Sequence, residues 1–247
     1  MSASPVVSVV IPVADEAENV ESVADEVRAA LGPATPFEIL FVDDGSADAT
    51  PQLIAALAAA DRRVRLVRHA RRCGKSQAVR TGVLHARGTW IGTMDGDGQN
   101  DPTDLVAMLA AARSAAGVPP LVAGIRTRRR DPWARRVATR VANRLRRVVL
   151  GDGCPDTGCG MKLFRREDFL RLPCFEGMHR FLPALFASYG VPLVNHPVAH
   201  RARRAGRSKY TNWHRALVGI TDMLGVMWLR RRTKAPVLVW TEADRDA

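Results

Sequence analysis

Little in this chain supports a disulfide scaffold or a structural zinc site. Cys73, Cys154, Cys159 and Cys174 form no Cys-x-x-Cys pair and have no histidine at zinc-site spacing, so they read as reduced thiols. No basic leader followed by an apolar stretch and a cleavage site opens the sequence, and a cytosolic setting is expected. No uncharged apolar run reaches the roughly 18 residues that a membrane span requires. Internal repeats, zinc fingers and other nucleic-acid motifs are also missing. Gly74-Lys75-Ser76 resembles the end of a phosphate loop, but the position where that loop needs its first glycine holds His69. A Walker-type nucleotide hydrolase is excluded on that ground.

What is present describes a globular body with a basic surface. The chain has 247 residues, of which 47% are apolar, enough for one large domain or a domain with an appendage. Lysine and arginine number 37 against 25 acidic residues, for a formal net charge of +12, and most of the cations are arginine. Such a balance favours nucleic acid, anionic lipid surfaces or phosphorylated substrates without choosing among them.

The N-terminal half alternates strand and helix patterns. Apolar, β-branched runs at Val6 to Ile11, Glu38 to Val42, Val64 to Arg68, Trp90 to Met94 and Leu121 to Ala123 predict strands. Between them, Val20, Val23, Val27 and Leu31 recur at helical spacing, and Thr50 to Ala60, Ser76 to Ala86 and Asp101 to Ala112 predict further helices. Ser46 or Asp48 is the expected cap of the second helix. Repeated strand–helix–strand units predict an α/β fold whose mostly parallel sheet lies between helices. Ligands bind such sheets beyond the carboxyl ends of the strands, where the polar clusters of this chain fall.

Three clusters carry chemistry. Asp95-Gly96-Asp97-Gly98-Gln99 follows a hydrophobic strand. Two carboxylates one residue apart can face a single hard cation, with Gln99 as a neutral oxygen donor, which suits Mg²⁺ or Mn²⁺. An acidic turn that caps the next helix has the same composition. Val42-Asp43-Asp44-Gly45-Ser46 ends another strand, and its carboxylates can accept hydrogen bonds from a base or ribose, or simply form a capped turn. Ile11-Pro12, with Glu16 and Asn19, is on its own a strand end and an acidic helix start.

In this order, Val-Val-Ile-Pro with Glu16 and Asn19, Val-Asp-Asp-Gly-Ser, Gly-Lys-Ser-Gln-Ala and Met-Asp-Gly-Asp-Gly-Gln-Asn-Asp-Pro resemble family 2 glycosyltransferases. More narrowly they resemble the polyprenyl-phosphate sugar transferases, the dolichyl-phosphate mannosyltransferase-like group, over about Val6 to Tyr210. The resemblance implies the nucleotide-diphospho-sugar transferase (GT-A type) fold. It also implies a donor pocket of Pro12, Val13, Glu16, Val42, Asp43, Asp44, Ser46, Lys75 and Gly96. Asp95, Asp97 and Gln99 would hold Mg²⁺ or Mn²⁺ against the diphosphate of a UDP- or GDP-sugar. Two positions depart from the family pattern: Ala14 replaces a frequent aromatic and Asp15 the usual asparagine.

The C-terminal half bears on the acceptor. Arg126 follows the fifth strand, Arg135-Arg136 lie on an expected helix, and Arg203-Arg204-Ala205-Gly206-Arg207-Ser208-Lys209-Tyr210 follows later. By the same resemblance Arg126, Arg135, Arg203 and Lys209 grip the acceptor phosphate and the donor diphosphate, with Arg126 joining Asp95 and Asp97 as catalytic. Guanidinium groups bind phosphate through paired, charge-assisted hydrogen bonds, whereas Arg128 to Arg130 read as a solvated face. The implied reaction is an inverting transfer of sugar to polyprenyl phosphate. A soluble family 2 enzyme acting on a hydroxyl of a glycan or protein keeps the same donor motifs but lacks a reason for the arginines. A nucleic-acid-binding module explains the charge but not the acidic motifs, so no nucleic-acid partner is expected.

The expected organisation is a transferase domain over 1–210, with a donor half at 6–115 and an acceptor half at 120–210, followed by a segment at 211–247. From Trp213 to Leu229 that segment predicts an amphipathic helix in which Leu217, Ile220, Leu224, Met227 and Trp228 share a face. Arg230-Arg231-Arg232-Thr233-Lys234 follows, suited to an anionic headgroup layer. The expectation is a peripheral enzyme on the cytoplasmic membrane face. A separate integral-membrane partner, a homo-oligomer interface or packing on the enzyme's own domain are the other uses open to this helix.

Overall fold

Strand-forming and helix-forming stretches alternate through most of the computed structural model, which describes residues 5–32, 35–127, 144, 146–201 and 212–234, with side chains in the last helix from Val218 onward. The N-terminal half gives β1 (Val7–Val13), α1 (Val20–Leu31), β2 (Phe37–Asp43), α2 (Thr50–Ala60), β3 (Val64–Arg68), α3 (Lys75–His85), β4 (Trp90–Thr93) and α4 (Thr103–Ser114). Then come β5 (Leu121–Arg126), β6 (Lys162–Arg165), α5 (Arg166–Leu170), a 3₁₀ turn (Met178–Arg180), α6 (Leu182–Ser188), β7 (Leu193–Val198) and α7 (Asn212–Arg232).

The seven strands form one sheet in the order β3-β2-β1-β4-β6-β5-β7. Only β6 runs against its neighbours β4 and β5, while β5 pairs in parallel with β7. The expected mostly parallel sheet between helices is therefore what forms. Both faces are covered, which explains why β1 and β2 are nearly continuous apolar runs. Val7, Val9, Ile11 and Val13 pack on one side with Val20, Val23 and Val27 of α1 and Leu105 and Met108 of α4. Val10 points the other way and joins Leu40 and Val42 with Ala78 and Val83 of α3. Burying each such side chain contributes roughly 1.5–3 kcal/mol, so the alternation fixes the register.

Local signals set most boundaries. The α1 stripe ends at Gly32, whose left-handed backbone (φ 52°) lets its N–H reach the Arg28 carbonyl at 3.0 Å. Asp48, rather than Ser46, serves the start of α2, accepting the Thr50 N–H at 3.0 Å. Ser46 Oγ instead accepts the Asp15 N–H across the β1–α1 turn. Asp15 has φ 52°, a left-handed conformation that asparagine and aspartate tolerate better than most residues. That accounts for an acidic residue where the family pattern has asparagine.

Two strands and two short helices were not expected from the sequence. β6 has only four residues, with a lysine and an arginine at its ends, and β7 carries His196 and Pro197 as an edge strand tolerates. β5 also runs three residues past its expected end, to Arg126. The face expected on α7 divides. Val226 is buried and Met223 and Met227 pack on the core, whereas Ile220, Leu224 and Trp228 are 52%, 52% and 61% exposed. Met227 therefore belongs to the packed side, and the exposed ridge follows an i, i+4, i+8 line.

Candidate active site

The parallel strands end together, and the site is built on those ends. Val13 pairs with Asp43, and Asp43 pairs with Arg68. β1 ends with Pro12 and Val13, and β2 with Val42 and Asp43, before two turns that knit to each other. Glu16 donates its N–H to Thr50 Oγ1 at 2.8 Å, and its carboxylate accepts from Asn19 Nδ2 at 2.7 Å. Asp15 accepts the Ala47 N–H at 2.8 Å and pairs with Arg72 at 2.7 Å.

Asp43 and Asp44 are both buried, and both are engaged by the protein itself. Asp43 Oδ1 accepts the Ser46 N–H at 3.0 Å. Arg68 Nε lies 3.0 Å from Asp43 Oδ2, close enough for charge pairing though not aligned as a hydrogen bond. Asp44 accepts the backbone N–H groups of Cys73 and Gly74, each at 2.8 Å, and His69 Nδ1 lies 2.8 Å from its Oδ1. These two carboxylates thus brace the turns beyond β2, and Asp44 binds down the loop that leads to Lys75.

Lys75 opens α3 and its ammonium contacts Asp95 Oδ1 directly. Asp95 stands just beyond β4, its N–H donating to Asn100 Oδ1 at 2.8 Å. Burial pushes the Asp95 carboxyl up, but the Lys75, Lys162 and Arg126 cations outweigh it and hold the group below its ordinary value. Asp97 is buried at 8% exposure and its Oδ1 accepts the Gln99 N–H at 3.2 Å. Gly96 is closed in by β1, since an added Cβ would lie 2.5 Å from Val13 Cγ1. The Gln99 amide Nε2 donates to the Arg201 carbonyl at 3.2 Å. Hard carboxylate oxygens such as those of Asp95 and Asp97 suit Mg²⁺ or Mn²⁺, and the surrounding cations favour the ionised form of Asp95.

The sequence reading missed the far wall, which residues 152–162 supply. Asp152, Asp156, Thr157 and Lys162 are all buried there. Lys162 begins β6 opposite Thr93 of β4 and donates to the carbonyls of Thr157 and Cys159. Burial lowers the Lys162 ammonium, and the neighbouring Lys75 cation lowers it further. Gly160 is packed against Asp95, where an added Cβ would lie 2.5 Å from the carboxylate. Asp156 grips Arg126 through both oxygens. The run Gly-Asp-Gly-Cys-Pro-Asp-Thr-Gly-Cys-Gly (151–160) is a glycine-rich acidic stretch ahead of a short apolar one, and that composition was the available signal.

Of the arginines assigned to the acceptor, Arg126 is brought to the site from the end of β5. Arg135, Arg203 and Lys209 lie outside the described residues, as do Arg128 to Arg130. The chain before the second arginine segment is anchored on the acidic motif: the Arg201 N–H donates to the Gln99 carbonyl at 2.9 Å, and its guanidinium pairs with Asp101 and Glu26. His200 bridges to Asn100 through backbone pairing, and all four cysteines are free thiols.

Comparison with known proteins bears on the family and the fold. Residues 8–172 match the Glycosyl transferase family 2 domain. Dodecaprenyl-phosphate galacturonate synthase of Rhizobium johnstonii is 34% identical over 237 residues, which are 93% of this chain and 68% of that protein. Undecaprenyl-phosphate 4-deoxy-4-formamido-L-arabinose transferase of an Enterobacter species is 34% identical over 210 residues, 83% of this chain and 62% of that protein. In fold, glucosyl-3-phosphoglycerate synthase from Mycobacterium tuberculosis, solved with Mn²⁺, UDP and phosphoglyceric acid, superposes with a TM-score of 0.65 at 21% identity, covering 94% of this chain and 80% of that one. A mannosyltransferase from Pyrobaculum calidifontis, solved with GDP-Man and Mn²⁺, gives 0.63 at 22% identity, covering 95% and 66%. The fold is of the GT-A type, and the chain belongs to glycosyltransferase family 2.

Proposed function

We propose that this glycosyltransferase transfers a sugar from a UDP- or GDP-sugar to polyprenyl phosphate, with inversion at the anomeric carbon. The observation that carries the reading is the charge arrangement around Asp95. The Lys75, Lys162 and Arg126 cations all act on the Asp95 carboxylate, Asp156 holds Arg126, and Asp97 follows two residues along the chain. Three cations balance three carboxylates, so a divalent ion would leave the site positive and suited to a donor diphosphate and an acceptor phosphate together. Both 34%-identical relatives are named for sugar transfer to polyprenyl phosphates, which supports the same acceptor here.

Asp95 and Asp97, with Gln99 beside them, would hold the ion. Mg²⁺ or Mn²⁺ would supply Lewis-acid stabilisation of the departing nucleoside diphosphate. The protein's own groups do the rest. The strand ends from Pro12 to Glu16 and Val42 to Ser46 form the nucleoside side of the site, and Lys75 faces the diphosphate. Arg126 orients the acceptor, assisted by Arg135, Arg203 and Lys209 from the acceptor half. An acceptor phosphate oxygen attacks the anomeric carbon from the face opposite the leaving group, while the bond to the diphosphate oxygen breaks. A phosphate monoester is largely dianionic near neutral pH, so no proton has to be removed from the nucleophile. Both oxygens of Asp156 are committed to Arg126, which favours this reading over a hydroxyl acceptor that needs a general base.

The acceptor's lipid places the reaction at a membrane surface. No helix among the described residues is long and apolar enough to cross a membrane. The exposed ridge of Ile220, Leu224 and Trp228 and the basic run Arg230 to Lys234 suit shallow seating on the anionic cytoplasmic leaflet. A panel of radiolabelled UDP- and GDP-sugars with polyprenyl phosphate, with and without EDTA, tests the function. Metal-dependent passage of one sugar into the organic phase is the expected result. Label transferred only to water-soluble hydroxyl acceptors would contradict it.

A further inference from the structure

We infer that His69 is a positioning residue of the donor site, acting through Asp44 to set the loop that presents Lys75. The inference rests on the donor-pocket reading above. His69 follows β3 and its N–H donates to the Asp43 carbonyl at 2.9 Å, which fixes the start of the loop. Its ring spans two elements: Nδ1 lies 2.8 Å from Asp44 Oδ1, and Nε2 lies 2.9 Å from Thr81 Oγ1 on α3.

The hydrogen-bond pattern assigns the protons. Asp44 accepts the N–H groups of Cys73 and Gly74, which makes its carboxylate an acceptor toward the ring as well. The Nδ1–H of His69 therefore donates to Asp44, and in the neutral ring Nε2 accepts the Thr81 hydroxyl proton. The side chain is 15% exposed, so little water competes for these bonds. Gly45 presses on the same loop, where a Cβ would lie 2.7 Å from the Arg71 and Arg72 backbone. The segment from His69 to Gly74 is thus clamped from the β2 side, and the next residue is Lys75, whose ammonium touches Asp95. Without the ring, Asp44 loses one of its three donors, and the geometry of Lys75 against Asp95 loosens with it.

The same residues raise the question of a second metal site, because ligand atoms of Asp44, His69 and Cys73 lie within 4.8 Å of one another. Asp44 already accepts three N–H donors, both ring nitrogens of His69 are hydrogen-bonded, and Cys73 Sγ donates to the Arg71 carbonyl. The group is a completed hydrogen-bond brace.

Two amide substitutions separate a role through Asp44 from general packing. An asparagine amide nitrogen falls near the ring's Nδ1 and can still donate to Asp44, whereas a glutamine amide nitrogen falls near Nε2 and reaches Thr81 instead. Calorimetric titration of UDP and GDP in the presence of Mn²⁺ reads the donor site without reference to the acceptor. His69→Ala and His69→Gln should weaken nucleotide binding roughly tenfold or more, the scale of a lost hydrogen bond to a charged group. His69→Asn should stay within about threefold of the wild type, and donor KM should follow the same order while acceptor KM does not move. Equal weakening in all three variants, or none in any, overturns the inference. If the wild-type chain bound neither nucleotide, the donor-pocket reading itself would fall.

Discussion

Arg126 and Asp156 meet face to face, with Nε and a terminal nitrogen of the guanidinium each 2.7 Å from a different carboxylate oxygen. The pair joins the end of β5 to a loop 30 residues on, and both side chains are largely buried. Such a fork holds the arginine plane fixed, as the phosphate-positioning role proposed for Arg126 requires. Removing one partner strands a charge in low dielectric, which costs more than removing both. Asp156→Asn and Arg126→Ala should each lower kcat/KM about a hundredfold, and the double variant should be no worse than the poorer single one. Additive losses in a double-mutant cycle would show that the two act separately.

Gly160 leaves no room for a methyl group beside Asp95. Gly160→Ala should therefore displace the carboxylate and raise the Mn²⁺ concentration needed for half-maximal activity about tenfold or more, the usual scale for disturbing a ligand's support. Gly219→Ala on α7, where the added methyl meets nothing within 4 Å among the described residues, is the control and should leave that concentration unchanged.

Asp61 joins three elements, accepting from Arg28 of α1 and from Arg63 just before β3, while it caps the end of α2. The Arg63 hydrogen bond, against an opposing burial effect and with help from Arg28, holds its carboxyl at about 2. A carboxyl with a depressed native value stabilises the fold above its unfolded value, and that stability disappears as pH falls through the native one. Asp61→Asn should cost about 1–2 kcal/mol at pH 7, discounted for partial exposure, with the deficit shrinking between pH 4 and pH 2. Urea midpoints across that range give the comparison, and a deficit that stays constant with pH would refute the assignment.

The exposed ridge of α7 makes a separate prediction. Replacing Ile220, Leu224 and Trp228 together with serine should lower affinity for anionic vesicles about tenfold or more while leaving the melting temperature nearly unchanged, since none of the three is buried. Sedimentation with vesicles of increasing anionic lipid content measures it. Unchanged binding would show that the ridge does not seat the enzyme on the membrane.

Much of the N-terminal half was legible because its signals are local. Val20 to Leu31, Thr50 to Ala60 and Val64 to Arg68 form within the expected bounds because their stripes and stops lie inside the segment itself. The position of Asp95 and Asp97 just beyond a strand was legible for the same reason. Asp156, Gly160 and Lys162 were not, because only the antiparallel insertion of β6 between β4 and β5 brings them to Asp95. The occupation of Asp44 was equally hidden, since its donors Cys73 and Gly74 come from 29 and 30 residues along the chain. On α7 the apolar pattern marked a face but could not divide it, because only tertiary packing decides that Met227 turns inward while Trp228 stays out.

The acceptor phosphate is the centre of the account, and one comparison tests it directly. Polyprenyl phosphate and the matching polyprenyl alcohol would be offered side by side with the active donor and Mn²⁺, using the wild-type chain and Asp97→Ala. Transfer to the phosphate alone, nearly abolished in Asp97→Ala, is the predicted result. Equal transfer to the alcohol, or activity undiminished in the variant, would contradict it.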